Sequence, residues 1–133
     1  MKKYLLMLLA TGIFIVGCKE EGTIPIEEVY DVTIDILSPA EGDIGTVGEM
    51  MSIEVGLNRP DSKIIHNLSI IIEDADGNVV ETIVDNEHIH AEGHHHMMEH
   101  FHPSSHGEHV LRVISTDHED TSKKVEESRS FMT

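Results

Sequence analysis

The sequence predicts an all-β fold, a sandwich of about seven short strands. Three observations carry that expectation. Apolar residues recur with period two in several short runs, and turn residues separate those runs at short intervals. The apolar set is dominated by Ile, Val and Leu; beyond residue 28 the only aromatic residues are Tyr30, Phe101 and Phe131. β-Branched side chains pack well on a pleated surface and favour strands. No stretch combines helical periodicity with capping residues, so helices are not expected.

The elements follow in order. Val32, Ile34 and Ile36 alternate with Thr33 and Asp35 until Ser38-Pro39 stops the first strand. A glycine-rich connection, 41–48, leads to a second strand at 51–57, with apolar residues at the odd positions. Asn58-Arg59-Pro60-Asp61 forms a turn. Residues 64–73 are a third strand, nearly continuous in apolar residues at 68–72, which places it in the middle of a sheet. Asp76-Gly77 is the strongest hairpin signal and predicts a type I′ turn, with a fourth strand returning over 79–84. Further on, 107–116 reads as a strand, His118-Glu119-Asp120 as a turn, and 123–131 as the closing strand.

Composition bounds the function. The chain has 133 residues, enough for one domain, and a formal charge of −16 from 25 acidic and 9 basic residues. Nucleic acid is excluded as a partner, because phosphate binding needs a basic face. A single cysteine allows neither an internal disulfide nor a thiolate metal site.

That cysteine has another use. Lys2 and Lys3 precede an uncharged apolar run from Leu5 to Val16, too short to span a bilayer and typical of an export signal. The run ends in Ile15-Val16-Gly17-Cys18, which resembles the bacterial lipobox, and the resemblance implies lipidation of Cys18 and removal of residues 1–17. Loss of those 17 residues, two of them lysines, leaves 116 residues at a formal charge of −18. Residues 18–28 are then an acidic tether, and 29–133 the sandwich domain. Lys19-Glu20-Glu21 resembles the tag that sends Bacteroidetes lipoproteins to the cell surface. An outer-membrane lipoprotein, facing either periplasm or exterior, is the expected location.

The strand phrases ILSPAEGDIGTVGEMMSIEV and GEHVLRVISTDHEDTSKKVEESRSF resemble the opening and closing strands of bacterial immunoglobulin-like domains. With HAEGHHHMMEHFHP between them, residues 30–131 are similar to a family of small Bacteroidetes lipoproteins of unknown function. Members of that family carry a histidine-rich segment in an immunoglobulin-like domain. The resemblance implies fold and location; it supplies no activity.

Histidine is the anomaly. Nine of eleven fall in residues 88–109: His88, His90, His94, His95, His96, His100, His102, His106 and His109. His88-Ile89-His90 and His100-Phe101-His102 are His-x-His pairs, and on a strand residues i and i+2 share a face. The pairs are symmetric about His95, so an antiparallel hairpin would set His88 opposite His102 and His90 opposite His100. Four imidazoles would then share one face, Ile89 and Phe101 would point into the core, and His94, His95 and His96 would occupy the tip.

Neutral imidazole ligates Zn²⁺, Cu²⁺ and Ni²⁺, so the expected cofactor is a transition metal, zinc or copper. Met97, Met98, Glu99, His106 and His109 are additional candidates, a thioether suiting Cu⁺. His109 has an equal alternative as a buried, hydrogen-bonded core residue. His66 and His118 are expected to be structural or solvent-facing. A pH-responsive surface and an incidental polar loop are the alternatives to a metal site.

Other motifs are weaker. Asp74-x-Asp76-Gly77-Asn78 opens like a calcium loop but lacks the distal acidic ligand, and a hairpin turn explains it better. No nucleophile elbow, phosphate loop or Cys/His pair is present, so no enzymatic activity is expected. The sequence therefore predicts metal capture, buffering or hand-over at the outer membrane, with an outer-membrane transporter as a candidate recipient. Protein–protein interaction or adhesion, with pH-responsive histidines, is the alternative.

Overall fold

A computed structural model describes residues 28–133. The expected signal peptide, Cys18 and most of the expected tether lie outside the described residues. Seven strands form two sheets: β1 (Thr33–Ser38), β2 (Met51–Asn58), β3 (Ile64–Asp74), β4 (Val79–Glu92), β5 (His94–Phe101), β6 (Glu108–Thr116) and β7 (Lys124–Met132). One sheet runs β1-β2-β5 and the other β4-β3-β6-β7, all neighbours antiparallel. This is an immunoglobulin-like β-sandwich, as the alternation of the sequence predicts. As the apolar run at 68–72 requires, β3 is flanked on both sides, by β4 and β6.

Alternation builds the core. Ile34 and Ile36, then Ile53, Val55 and Leu57, face Leu68, Ile70 and Ile72 with Leu111 and Val113 across the sandwich. Phe101 and Phe131 close one end, edge to face at 6.0 Å between ring centres. Tyr30 works at the other end: its hydroxyl shares a 2.8 Å hydrogen bond with the buried Ser115, and its ring carries the Arg59 guanidinium at 4.6 Å. Arg59 is buried, and donates from Nε to Asp31 at 3.1 Å. Burying that cation is tolerable only because a carboxylate, a carbonyl and a ring face receive it.

Two turns decide what the histidines can do. The hairpin at Asp76-Gly77 is not type I′. Only Gly77 has positive φ (81°), the Gly77 amide donates to the Asp74 carbonyl, and the Asp74 amide donates to the Asn78 carbonyl. This is a type I turn followed by a left-handed glycine, which the Asp74 carboxylate stabilises by accepting from the amides of Asp76 and Asn78. The second turn is Gly93, where the chain leaves one sheet for the other. Its φ is 69°, its amide donates to the Lys63 carbonyl, and its carbonyl accepts the Arg59 amide at 2.8 Å.

The expected hairpin between the two His-x-His segments therefore does not form. His88 and His90 stand on β4, paired with β3, whereas His100 stands on β5, paired with β2 in the opposite sheet. His94, His95 and His96 are not a tip; they are the first three residues of β5. The physical reason is the buried side chains. Phe101 and Met97 on β5 pack into the core beside β2, and a β4–β5 hairpin would remove them from it. Residue 101 is buried as expected, and Ile89 packs against the core from the other sheet.

Candidate metal centre

The structure gathers histidines at one end of the four-stranded sheet, centred on β3. His66 stands there, half-buried, between the core residue Ile65 and the buried Asn67. The β3–β4 register changes four times, each change adding a residue on β4, between Glu73↔Val79 and Ile65↔Ala91. The last shift places residues 89 and 90 opposite His66, and His90 takes a left-handed φ of 45° in this bulge. On the other flank, β6 ends with Thr116 opposite Asn67. The next residues, Asp117 and His118, arrive beside His66.

Three imidazoles converge. His66, His88 and His118 each offer a ring nitrogen, and these three atoms lie within 4.8 Å of one another. Zinc at 2.0–2.1 Å from each nitrogen sets them about 3.3 Å apart, so small ring rotations complete the closure. His90 adjoins them, its ring centre 5.5 Å from His88 and 5.7 Å from His66. His118 is held by its neighbour: the Asp117 carboxylate accepts the amides of Glu119 and Asp120, which shapes the turn.

The protonation states suit ligation. Burial lowers the His66 pKa from 6.5, with Asp117 opposing and His118, His90 and Arg59 adding to the fall, so the ring is neutral at pH 7. His66 Nδ1 is buried and has no hydrogen-bond partner among the described residues. An unpartnered buried nitrogen is costly, and a metal ion would satisfy it. Asn67, itself buried, accepts from His88 Nδ1 at 3.0 Å. That bond fixes the His88 proton on Nδ1 and leaves Nε2 with its lone pair, the arrangement found behind metal-bound histidines. A shallow cleft of about 320 Å³ opens beside the group, lined among others by His66, His118, Asp117, Arg59 and Lys63.

The other candidates disperse. His94, His96, Met98 and His100 alternate on the outer face of β5. His95 and Met97 turn inward, opposite Leu57 and Val55, and Glu99 lies opposite Ile53. Burial lowers the His95 pKa too, against the field of Glu87, and His94 and His96 add to the fall. His102 and His106 are exposed in the segment after β5. His109 is 2% exposed and belongs to the core. Its ring stacks on Phe131 at 5.4 Å, and its Nε2 donates at 2.9 Å to Thr133 Oγ1, whose own proton goes to the Ser105 carbonyl. Cys18 lies outside the described residues. His66 and His118, expected to be structural or solvent-facing, instead stand with His88, and Asn67 was not anticipated at all.

No protein-family profile and no curated protein sequence matches the chain. Among solved structures it is similar to fibronectin(III)-like modules of Clostridium thermocellum CbhA, at 18% identity over 76% of this chain and 96% of that one, with a TM-score of 0.47. It is also similar to the CARDB domain of a Pyrococcus furiosus protein in solution, at 13% identity over 76% and 94% of the two chains, TM-score 0.47. The crystal structure of that domain in complex with di-metal ions gives 12% identity over 76% and 87%, TM-score 0.45. The class of protein is thus set by the strand order itself: an immunoglobulin-like sandwich bearing a surface histidine cluster.

Proposed function

We propose that this chain is an exported, lipid-anchored protein that binds a divalent transition metal, zinc or copper, through His66, His88 and His118. His90 stands ready as a fourth ligand. The observation that carries the reading is the convergence of three imidazole nitrogens, from β3, β4 and the turn after β6, within 4.8 Å. The register that slides along β4 brings His88 to His66, and the β3–β6 pairing, ending with Thr116 opposite Asn67, brings His118. Two of the three ligands are exposed, and an exposed site exchanges its ion more readily than a closed structural one. That favours capture, buffering or hand-over over a permanent structural role. With the lipid on Cys18 the domain would work at the outer membrane, where an outer-membrane transporter would be the recipient.

Calorimetric titration of the full-length Cys18→Ser protein in detergent with Zn²⁺ tests this. One equivalent binds more tightly than about 10 μM at pH 7, and binding fades near pH 5 as the imidazoles protonate. His88→Ala with His118→Ala removes it. Unchanged binding in that double variant would overturn the site.

A second reading is an interaction or adhesion module whose histidines respond to pH. Ile44, Met50 and Met132 favour it, being 84%, 59% and 44% exposed, with Ile44 bridged to Met132. Under that reading the protein binds no metal, and the titration is flat.

A further inference from the structure

The outer face of β5 carries a second group of metal-binding side chains, on the opposite sheet from the His66 cluster. Alternation places His94, His96, Met98 and His100 on that face, all four exposed, while His95, Met97 and Phe101 point inward. β5 is the outermost strand of its sheet, so among the described residues no neighbouring strand covers its free flank. Across the pair on β2, Asn58 faces His94, Gly56 faces His96 and Glu54 faces Met98. Gly56 has no side chain, which leaves room in front of the His96 ring.

Both imidazoles at the start of the strand are oriented from behind. Asn58 donates from Nδ2 to Asp35 at 3.3 Å, so its Oδ1 is the atom turned toward His94 and accepts from His94 Nδ1 at 3.0 Å. His94 therefore keeps its proton on Nδ1 and presents Nε2. The Glu54 carboxylate accepts from His96 Nε2 at 2.8 Å, which leaves His96 Nδ1 with the lone pair. A carboxylate behind an imidazole raises its basicity as a ligand. Glu54 is also the residue directly across from Met98, so imidazole, carboxylate and thioether are contiguous.

We propose that His96 and Met98 bind a soft monovalent ion, Cu⁺, with His94 and His100 as the flanking imidazoles of the same stripe. Residues i and i+2 of a strand stand about 7 Å apart, close enough for one nitrogen and one sulfur to reach a common ion. A thioether discriminates in favour of Cu⁺ over Zn²⁺, whereas the His66 cluster offers nitrogen alone. The inference extends the metal-binding reading of the previous section but rests on different residues, so the two stand or fall separately. Exposed histidines on an edge strand also discourage edge-to-edge pairing, and that role alone requires no ion.

The test uses Ag⁺, a redox-inert stand-in for Cu⁺, with full-length Cys18→Ser protein in detergent and chloride-free buffer. Methionine methyl resonances report each sulfur separately. The first equivalent of Ag⁺ shifts the Met98 methyl, and Met98→Leu lowers the Ag⁺ affinity at least about tenfold while Zn²⁺ binding is unchanged. His118→Ala does the reverse, abolishing Zn²⁺ binding and sparing the Met98 shift. An unmoved Met98 methyl at saturation, or a shift confined to another methionine, overturns the proposal. So does Met98→Leu binding Ag⁺ as wild type does. Loss of Zn²⁺ binding with the Met98 response intact would count against the His66 cluster only.

Discussion

Asn67 gives the sharpest prediction, because it acts on the metal only through another residue. Its Oδ1 accepts from His88 Nδ1 at 3.0 Å, in a buried position between β4 and β6. Asn67→Leu keeps the branched shape and removes the acceptor. The His88 proton can then sit on either nitrogen, and the ring loses its orienting bond. Partners of this kind contribute about 10–100-fold in metal affinity, or roughly 1.4–2.7 kcal/mol. The loss of one hydrogen bond costs the metal-free fold about 1 kcal/mol, so the protein remains folded. Asn67→Asp keeps an acceptor in place and makes it a carboxylate, which strengthens the ligand. Competition titration with a chromophoric zinc chelator, run on the full-length Cys18→Ser protein at pH 7.5, separates the two variants. Asn67→Leu falls into the 10–100-fold window, and Asn67→Asp binds at least as tightly as wild type. If Asn67→Leu binds zinc within about threefold of wild type, the orienting argument is wrong. If Asn67→Asp is as weak as Asn67→Leu, the acceptor is not what matters.

Three further outcomes are expected. Phe131→Ala removes a ring that is 1% exposed and packed on both Phe101 and His109, and it destabilises by about 3–5 kcal/mol in urea unfolding. Gly77→Ala meets only the left-handed backbone and costs about 1 kcal/mol, whereas Gly93→Ala adds a Cβ 3.2 Å from the Ser62 Cα and costs more; equal midpoints would contradict this. Burial holds His95 below its ordinary 6.5, so the unfolded chain takes up the proton first. The stability His95 confers is full above pH 6.5 and is lost as pH falls below it. Metal-free His95→Leu therefore loses less stability than wild type between pH 7 and pH 5, and parallel curves would refute the assignment. Below about pH 3.8 both lose stability together, because Asp31 and Asp120, lowered by hydrogen bonds from Arg59 and Ser122, become protonated.

The strands were legible because each buries one face. Ile34, Ile53, Leu111 and Val113 announce their strands by alternation, and the observed boundaries fall within a residue or two of those expected, except on β5, whose first three residues were expected at a hairpin tip, and on β4. There the readable part, 79–84, is only the start of a strand that runs to Glu92. The rest is polar and bulged, with Asn86 and His90 at positive φ, and a bulged strand no longer alternates. The His88-x-His90 pair was visible, but its partners were not. A hairpin register runs on unbroken only from an unbroken turn, and four single-residue shifts carry this pair level with His66. His118 joins through the β6–β3 pairing, which spans nearly fifty residues and leaves no local trace. Gly93 misled in the opposite sense. A glycine between two histidine-rich strands reads as a hairpin, and only the burial of Phe101 and Met97 beside β2 shows that it is a crossing between sheets.

The central claim is that one ion sits among His66, His88 and His118. Crystals of the zinc-loaded protein, with anomalous differences recorded on both sides of the zinc edge, test it most directly. The account predicts a single dominant peak about 2.0–2.1 Å from a ring nitrogen of each of the three, with His90 or solvent in the fourth position. A peak on the β5 face, or none within bonding distance of His66 and His118, would contradict it.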